Sequence, residues 1–185
     1  MKKIENTAIT VLSKKHFYKH NAVLKIGDWK NNFDLNYRNS IIAIALNHCC
    51  KHNDLIINGY LITTNNLYLV AKSNEKLLDA ILNKLEHQIN HLLKLDHKAI
   101  HKKKFNIDFI IDDEETFYEI QEPLFKIYPL KDDYLITLIT GKKVTLPYFD
   151  RRLEDLKSMI QNHPFCSAID YSGAIGPVYM TLLEE

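Results

Sequence analysis

The sequence predicts an α+β fold in which an antiparallel sheet of about four or five strands has helices packed on one face. Two observations lead to this prediction. Short runs of alternating or β-branched apolar residues, typical of strands, recur along the chain, and longer segments repeat apolar residues every three or four positions, as amphipathic helices do. The chain of 185 residues contains five Gly, five Pro and no low-complexity linker, which favours a single domain spanning residues 1–185.

The first predicted elements are two strands and a helix. Residues 6–12 (NTAITVL) are rich in β-branched side chains and predict a strand. The polar stretch after them contains a second, short strand-like run, AVLKI, at residues 22–26. Between residues 37 and 52 apolar side chains recur at spacings of three and four, which predicts a buried amphipathic helix.

A β-hairpin and a long helix are predicted next. Residues 54–62 (DLIINGYLI) and 67–71 (LYLVA) are typical of strands, and the turn-forming residues TTNN lie between them. Leucine and isoleucine then recur at helical spacing from Leu77 to Leu93, with Ser73 or Asn74 as the predicted N-cap.

The second half of the chain is less regular. Residues 105–111 (FNIDFII) alternate as a strand does. Residues 134–144 (YLITLITGKKV) predict a hairpin that turns at Thr140-Gly141, and residues 149–162 predict a short helix that ends before a proline.

Composition and missing motifs exclude several functional classes. The longest unbroken apolar run, residues 41–46, is far shorter than the ~18 to 20 residues that span a bilayer, and the N-terminus lacks the apolar core of a signal peptide. We therefore expect a cytoplasmic protein without membrane contact. Three Cys do not make a disulfide framework, and with five Gly the chain has no phosphate-cradling loop, dinucleotide fingerprint or nucleophile elbow.

Charge is balanced overall but divided along the chain. Residues 1–104 hold 17 Lys+Arg and 8 Asp+Glu, a net charge of +9, whereas residues 105–185 hold 7 and 15, a net charge of −8. Clustered lysines attract phosphate groups, so the basic half predicts an anion-binding face, unless its lysines are scattered over solvated helices or face the acidic half. The candidate nucleic-acid-binding residues are Lys98, Lys102, Lys103 and Lys104.

Two clusters raise the question of a metal site. Eight of the nine histidines form pairs spaced four apart: His16/His20, His48/His52, His87/His91 and His97/His101. On a helix each pair would place two imidazoles on one face, which zinc or nickel prefers for two of its ligands. No Glu lies between two histidines as a hydrolytic zinc helix requires, and the carboxylates at residues 112–115 are typical of a solvated helix N-terminus. We therefore expect no metal site, and we expect Cys49 and Cys50 to be core residues.

The predicted hairpin carries the most specific pattern in the chain. Within residues 56–71 (IINGYLITTNNLYLVA) an aromatic residue, a turn asparagine and apolar strand residues follow at a characteristic spacing, at Tyr60, Asn65, Leu67, Leu69 and Val70. This segment resembles the strand-turn-strand of the REP-associated tyrosine transposases, which belong to the HUH superfamily of single-strand nucleases. MIQNHP at residues 159–164 and the stretch 167–173 resemble the family's C-terminal helix and its closing Ser-Tyr-Gly segment.

The resemblance covers a core of about residues 6–95 and 149–175, with an insertion-like segment at about 96–148. It implies a ferredoxin-like βαββαβ core, in which the strands around Tyr60 and Tyr68 pair and the C-terminal helix packs beside them. In the family, two histidines on one strand hold a divalent ion, Mg or Mn, and a tyrosine on the C-terminal helix attacks the scissile phosphate.

The family's catalytic residues are replaced in this chain. The two metal positions correspond to Asn66 and Tyr68, the nucleophile position corresponds to Met159, and His163 lies where relatives supply a third ligand. Asparagine is a poor transition-metal ligand, a neutral phenol is a worse one, and a thioether cannot form a phosphotyrosine-like linkage. The resemblance therefore implies a domain with no cofactor and no catalytic residue at these positions.

The leading hypothesis is a transposase-derived domain that has lost nicking and strand transfer and binds single-stranded or hairpin DNA weakly. One alternative is a protein-interaction or structural domain without nucleic-acid binding, which is favoured if the acidic half covers the basic half. A further alternative is an active single-strand DNA nuclease or transposase that uses His163 with a relocated tyrosine, Tyr148 or Tyr171. A homodimer is an open alternative for the oligomeric state.

Overall fold

The computed structural model describes residues 16–104 and 123–183, with side chains described except at residues 95–104. The predicted strands at 6–12 and 105–111, and the carboxylates at 112–115, lie outside these described residues. In chain order the described elements are β1 (Tyr18–Ile26), a 3₁₀ helix (Asp28–Asn32), α1 (Leu35–His52), β2 (Ile56–Ile62), β3 (Asn66–Ser73), α2 (Leu78–Lys104), β4 (Phe125–Pro129), α3 (Asp133–Ile139), α4 (Arg151–Gln161) and α5 (Ala168–Tyr171).

The four strands form one antiparallel sheet in the order β2-β3-β1-β4. Since β1 and β2 each pair antiparallel with β3, they run parallel to each other on its two sides, joined through α1. The α+β class and the antiparallel sheet are confirmed. The predicted hairpin is β2 with β3, in which Tyr60 lies opposite Leu69 and Tyr68 lies opposite Leu61.

Side-chain hydrogen bonds fix the ends of two of these elements. Asp34 caps α1, because its carboxylate accepts hydrogen bonds from the backbone N–H groups of Asn36 (2.8 Å) and Tyr37 (3.2 Å). Thr63 closes the turn between β2 and β3, since its hydroxyl donates to the carbonyl of Asn66 (3.0 Å) and accepts from the N–H of Asn66 (3.1 Å).

One face of the sheet packs against α1 and α2. Alternate residues of β1 are buried on this face, which explains the polar residues between them. Trp29 closes one end of the core, and its indole N–H donates to the carbonyl of Leu124 at 2.9 Å. The largest fully buried side chains of this core are Leu24, Ile26, Ile42, Leu46, Ile57, Tyr60, Ile62, Leu67, Leu69, Ile89 and Leu124.

The other face of the sheet packs against α3 and α4. Leu61 of β2, Ile139 of α3 and Ile160 of α4 are buried together, and Tyr68 and Val70 of β3 are partly buried against them. The prediction that helices lie on one face therefore holds for α1 and α2 only. The physical reason lies in β2, where six of seven residues are buried, because a strand that is apolar on both faces needs a layer on each side.

The predicted hairpin at residues 134–144 is wrong, because this segment contains α3. Asp132 caps the helix by accepting a hydrogen bond from the N–H of Leu135 at 3.2 Å. The helix is terminated by Gly141, whose φ of 76° lies in the left-handed region that glycine adopts most easily. The β-branched side chains of ITLIT favour a strand by propensity, but capping and burial against the sheet outweigh that preference.

Three further boundaries differ from or refine the predictions. Ser73 is the last residue of β3 and not an N-cap, and its hydroxyl donates to the carbonyl of Glu75 (3.0 Å) and bonds the buried His20 (2.9 Å). The helix α2 begins later, at Leu78, and β4 was not predicted. The helix predicted at 149–162 is confirmed as α4.

No helix in the described ranges is long and apolar enough to cross a membrane.

The chain after α4 runs along the free edge of β2. The N–H of Ile62 donates to the carbonyl of Phe165 (2.9 Å), and the N–H of Ser167 donates to the carbonyl of Tyr60 (3.0 Å). This segment satisfies backbone groups that an edge strand would otherwise expose, and it ties the end of α4 to the hairpin.

Candidate functional site

The two residues that the resemblance aligns with metal ligands lie side by side on one face of β3. Asn66 and Tyr68 are separated by one residue, so both side chains project from the same face of the strand. The amide nitrogen of Asn66 donates a hydrogen bond to the phenol oxygen of Tyr68 at 3.3 Å. The structure therefore brings these two side chains together, with an amide-phenol hydrogen bond between them.

The helix α4 lies on the same face of the sheet as Tyr68. Ile160 and Leu156 of α4 belong to the cluster that Tyr68 contacts. Met159, which the resemblance aligns with the family's nucleophile, is adjacent to Ile160 and is 38% exposed. The predicted packing of this helix beside the paired strands is confirmed.

His163 follows the end of α4 and is held near the end of β2. Its Nδ1 accepts a hydrogen bond from the N–H of Phe165 at 3.2 Å, and the carbonyl of Phe165 in turn accepts from Ile62. This geometry requires the neutral tautomer with its proton on Nε2. Partial burial lowers the pKa of His163, which favours the same neutral form.

The alternative tyrosines have different environments. The hydroxyl of Tyr171 donates to the carbonyl of Asn58 (2.8 Å) and accepts from the N–H of Leu183 (3.2 Å), so it holds the C-terminal segment to β2. Tyr148 is 64% exposed. Tyr60, which matches the family pattern, is fully buried, and burial raises the pKa of its phenol.

All lysines of the four strands project from the face that carries α3 and α4. Lys19 lies directly opposite Lys72 in the β1–β3 pair, and Lys25 lies directly opposite Lys126 in the β1–β4 pair. Directly opposed residues share a face, and Lys19 and Lys25 are six residues apart on one strand, so all four share it. The four described strands contain no Asp or Glu. We call these four lysines the basic sheet face.

Two tyrosines lie beside the lysines at one end of this face. Tyr128 of β4 and Tyr68 of β3 lie on either side of Val23 in a row across the sheet, and Lys126 and Lys25 occupy the next row. Strand spacing places the two tyrosines about 10 Å apart and the rows about 7 Å apart. Tyr128 is 49% exposed, and both lysines are exposed. We call Lys25, Tyr68, Lys126 and Tyr128 the tyrosine-lysine patch.

Sequence reasoning selected a different group of lysines. Lys98, Lys102, Lys103 and Lys104 lie in the last turns of α2, where only the backbone is described. The tyrosine-lysine patch was missed because its residues come from three strands. The alternation of polar and apolar residues within β1 is a signal in the sequence, because it places Lys19 and Lys25 on the face away from the buried residues. The strand register is also needed, since only the register brings Lys72 and Lys126 beside them.

The histidine pairs do not share one environment. His16 precedes β1, whereas His20 lies within β1 and is buried, with its ring bonded to the hydroxyl of Ser73. The rings of His48 and His52 on α1 are 4.5 Å apart, and the pKa of His48 is lowered by desolvation first and then by the neighbouring His52, His91 and Lys51. Among residues with described side chains, no group of three or more His, Cys, Asp or Glu is placed to hold a metal.

The thiols of α1 lie in or beside the core. Cys49 is fully buried, and burial raises its pKa to about 11. Burial also raises the pKa of Cys50, to about 12. Both thiols are therefore protonated at neutral pH, which makes them poor nucleophiles.

Comparisons with protein-family models, with curated proteins and with solved structures found no match for this chain.

Proposed function

We propose that this protein is a transposase-derived domain that binds single-stranded DNA through the tyrosine-lysine patch and does not cut it. The observation that carries the proposal is the placement of Lys25, Lys126, Tyr68 and Tyr128 on one sheet face whose strands contain no carboxylate. The same face carries Asn66 and Tyr68, the two residues that the resemblance aligns with the family's metal ligands.

The chemistry of the patch suits an unpaired strand. Exposed aromatic rings stack on bases, and each stacked base contributes about 1 to 3 kcal/mol in single-strand-binding proteins. The exposed ring of Tyr128 offers a stacking face for one base, and the partly buried Tyr68 lies beside it, two strands away on the same sheet face. The lysine row lies beside the rings, where it neutralises phosphates of the same strand. Duplex DNA would hide its base faces from the ring of Tyr128.

The opposed lysines add a thermodynamic argument. Like charges directly across a strand pair destabilise a sheet, and Lys25 faces Lys126 in this way. A bound phosphate lying between the two ammonium groups removes this repulsion. The arrangement is thus better suited to the DNA-bound state than to the free one.

The residues at the family's catalytic positions favour binding without chemistry. The amide of Asn66 is engaged with Tyr68, and a phenol and a thioether offer weak ligands and no phosphate-accepting nucleophile. Tyr68 keeps a place in this proposal as the partly buried neighbour of Tyr128 on the same sheet face, where its phenol oxygen accepts the hydrogen bond from Asn66.

A salt titration tests the proposal. Fluorescence anisotropy of a labelled single-stranded oligonucleotide should give weak binding, about 10⁻⁴ to 10⁻⁶ M at physiological salt. Two neutralised phosphates correspond to a log–log salt slope of about −1.4, and four correspond to about −2.8. A duplex of the same sequence should bind less tightly. Absence of binding at low salt would refute the proposal.

A matched pair of tyrosine variants locates the stacking contribution. Tyr128→Leu keeps an apolar side chain on β4 but removes the ring, so affinity should fall by about 5- to 100-fold at unchanged salt slope. Tyr148→Leu removes another exposed ring outside the patch and should leave affinity unchanged. Equal losses in both variants would contradict a stacking role for the patch.

The two alternatives predict other results. A protein-interaction domain is favoured by the exposed apolar residues Phe149 (80%) and Ile175 (97%), and it predicts no salt-dependent DNA binding. An active nuclease predicts a covalent protein–DNA adduct when the protein is incubated with hairpin DNA and Mg²⁺ or Mn²⁺. We expect neither nick nor adduct, and an adduct that maps to Tyr148 or Tyr171 would establish the nuclease instead.

A further inference from the structure

A second feature of the basic sheet face is a cavity of about 210 Å³ at the end away from the tyrosine-lysine patch. It is partly open to solvent and is bordered by β1, β3, the middle of β2, the end of α3 and the C-terminal segment. Its polar lining consists of Lys19, Asn21, Asn58, Lys72, Thr140 and Lys142. Among the described residues that line it, none is acidic.

Two of the three lysines are directly opposed. Lys19 faces Lys72 across the β1–β3 pair, which destabilises the sheet unless an anion lies between them. In the part of the chain with described side chains, the ion pairs that form involve other basic residues, and no carboxylate pairs with Lys19, Lys72 or Lys142.

The third lysine, Lys142, lies in a hydrogen-bonded turn at the end of α3. The N–H of Lys142 donates to the carbonyl of Thr137 (3.0 Å) and the N–H of Gly141 donates to that of Leu138 (3.2 Å), which closes the end of α3. A Cβ at Gly141 would overlap the ring of Tyr171, so the turn and the ring are packed together. The end of α3 contributes about half a negative charge at most, which three lysines outweigh.

The size of the cavity limits its ligand. The volume of about 210 Å³ is smaller than the about 300 to 1,000 Å³ of pockets that hold drug-sized ligands, which favours a small ligand. A phosphate monoester carries a charge of about −1.5 to −2 and three terminal oxygens, which matches three ammonium groups. We infer that this cavity binds a phosphate group, borne by a DNA strand end or by a small free phosphate compound. The inference goes beyond the proposed function, because the cavity lies outside the patch.

Thermal unfolding of the full chain in inorganic phosphate tests the inference. Phosphate should raise the Tm above that in chloride of equal ionic strength, because a ligand of the folded state stabilises it by mass action. Lys72→Gln and Lys142→Gln should each weaken phosphate binding about tenfold. Lys143→Gln, an exposed neighbour that does not line the cavity, should keep the full response.

The variants remain informative without ligand. Lys72→Gln removes the repulsion with Lys19, so its Tm in chloride should equal or exceed that of the unmodified chain. A phosphate response no larger than that of chloride overturns the inference. An equal loss in Lys143→Gln and Lys72→Gln overturns it as well, because the effect would then be general screening.

Two oligonucleotides distinguish the sources of the phosphate. If the cavity takes a strand end, a 5′-phosphorylated oligonucleotide binds more tightly than its 5′-hydroxyl counterpart, and Lys72→Gln abolishes the difference. If the two bind equally while inorganic phosphate still raises the Tm, the ligand is a free phosphate compound. Failure of all DNA binding would refute the proposed function and leave the Tm response as a separate test of the cavity.

Discussion

Ser167 joins three parts of the molecule, and its removal should destabilise the fold measurably. The hydroxyl is fully buried, accepts a hydrogen bond from the N–H of Tyr60 in β2 (3.0 Å) and donates to the carbonyl of Ile139 at the end of α3 (2.5 Å). It thereby links the hairpin, the helix α3 and the segment that follows α4. We choose Ser167→Ala as the perturbation, because it removes one oxygen atom and little volume.

The magnitude follows from the groups left without partners. The N–H of Tyr60 loses its acceptor inside the protein, and leaving a buried donor unsatisfied costs about 1 to 3 kcal/mol. The carbonyl of Ile139 loses a donor at the same time and adds about 1 kcal/mol. We expect a loss of about 2 to 4 kcal/mol in the free energy of unfolding, which for a chain of this size lowers the Tm by roughly 5 to 15 °C.

Urea denaturation followed by circular dichroism measures this loss, and the fluorescence of the single tryptophan, Trp29, gives a second probe in the core. Ser172→Ala is the matched control, because the hydroxyl of Ser172 also donates to a carbonyl, that of Ile169 at 2.6 Å, but is exposed. The control should lose less than about 0.5 kcal/mol. Equal losses in the two variants would refute the role assigned to Ser167.

Two further predictions concern pH and backbone conformation. Burial raises the pKa of Glu86, although its carboxylate accepts a hydrogen bond from the N–H of Phe125 (3.0 Å). The free energy of unfolding should therefore fall as the pH rises from the ordinary glutamate pKa through the raised value. Urea titrations of Glu86→Gln at several pH values should lack this fall, and a pH profile equal to that of the unmodified chain would contradict the prediction. Gly141→Ala should lower the free energy of unfolding by about 2 to 4 kcal/mol, because the residue has a positive φ and the new Cβ meets the ring of Tyr171. The control Gly173→Ala also has a positive φ (90°) but lies in open space, so it should lose only about 1 kcal/mol. Similar Tm losses in the two variants would count against the packing described at Gly141.

The central elements could be predicted from sequence because their patterns are local. The helical spacing of α1 and α2 and the paired apolar runs around the TTNN turn each lie within one short segment. The class and the hairpin follow from these alone. The edge strand β4 could not be predicted in the same way, because five residues ending in proline carry little periodic signal.

The segment 134–144 shows why propensity alone misled the prediction. Its isoleucines and threonines favour a strand, yet Asp132 and Gly141 supply a helix cap at each end. Leu135 and Ile139 are four residues apart and bury one helical stripe against the sheet. Long-range packing therefore decided the outcome, and it also placed helices on the second face.

The candidate site could be predicted only in part. Asn66, Tyr68 and Met159 were singled out by resemblance; Asn66 and Tyr68 share one face of β3, and α4, which contains Met159, packs on that face. That these residues descend from a catalytic site stays a prediction. The lysines opposite one another could not be found from sequence, because Lys25 and Lys126 are about a hundred positions apart and meet only through register.

The most direct test of the proposed DNA-binding surface is the salt slope of single-strand binding in three multiple-lysine variants. Lys25→Gln/Lys126→Gln should reduce the log–log slope by about 1.4 in magnitude, because two phosphate contacts are lost. The control Lys51→Gln/Lys76→Gln, two exposed lysines outside the four strands, should retain the slope of the unmodified chain. If the slope instead falls only when Lys102, Lys103 and Lys104 are replaced by Gln, DNA binds at the end of α2 and the assignment to the sheet face is contradicted.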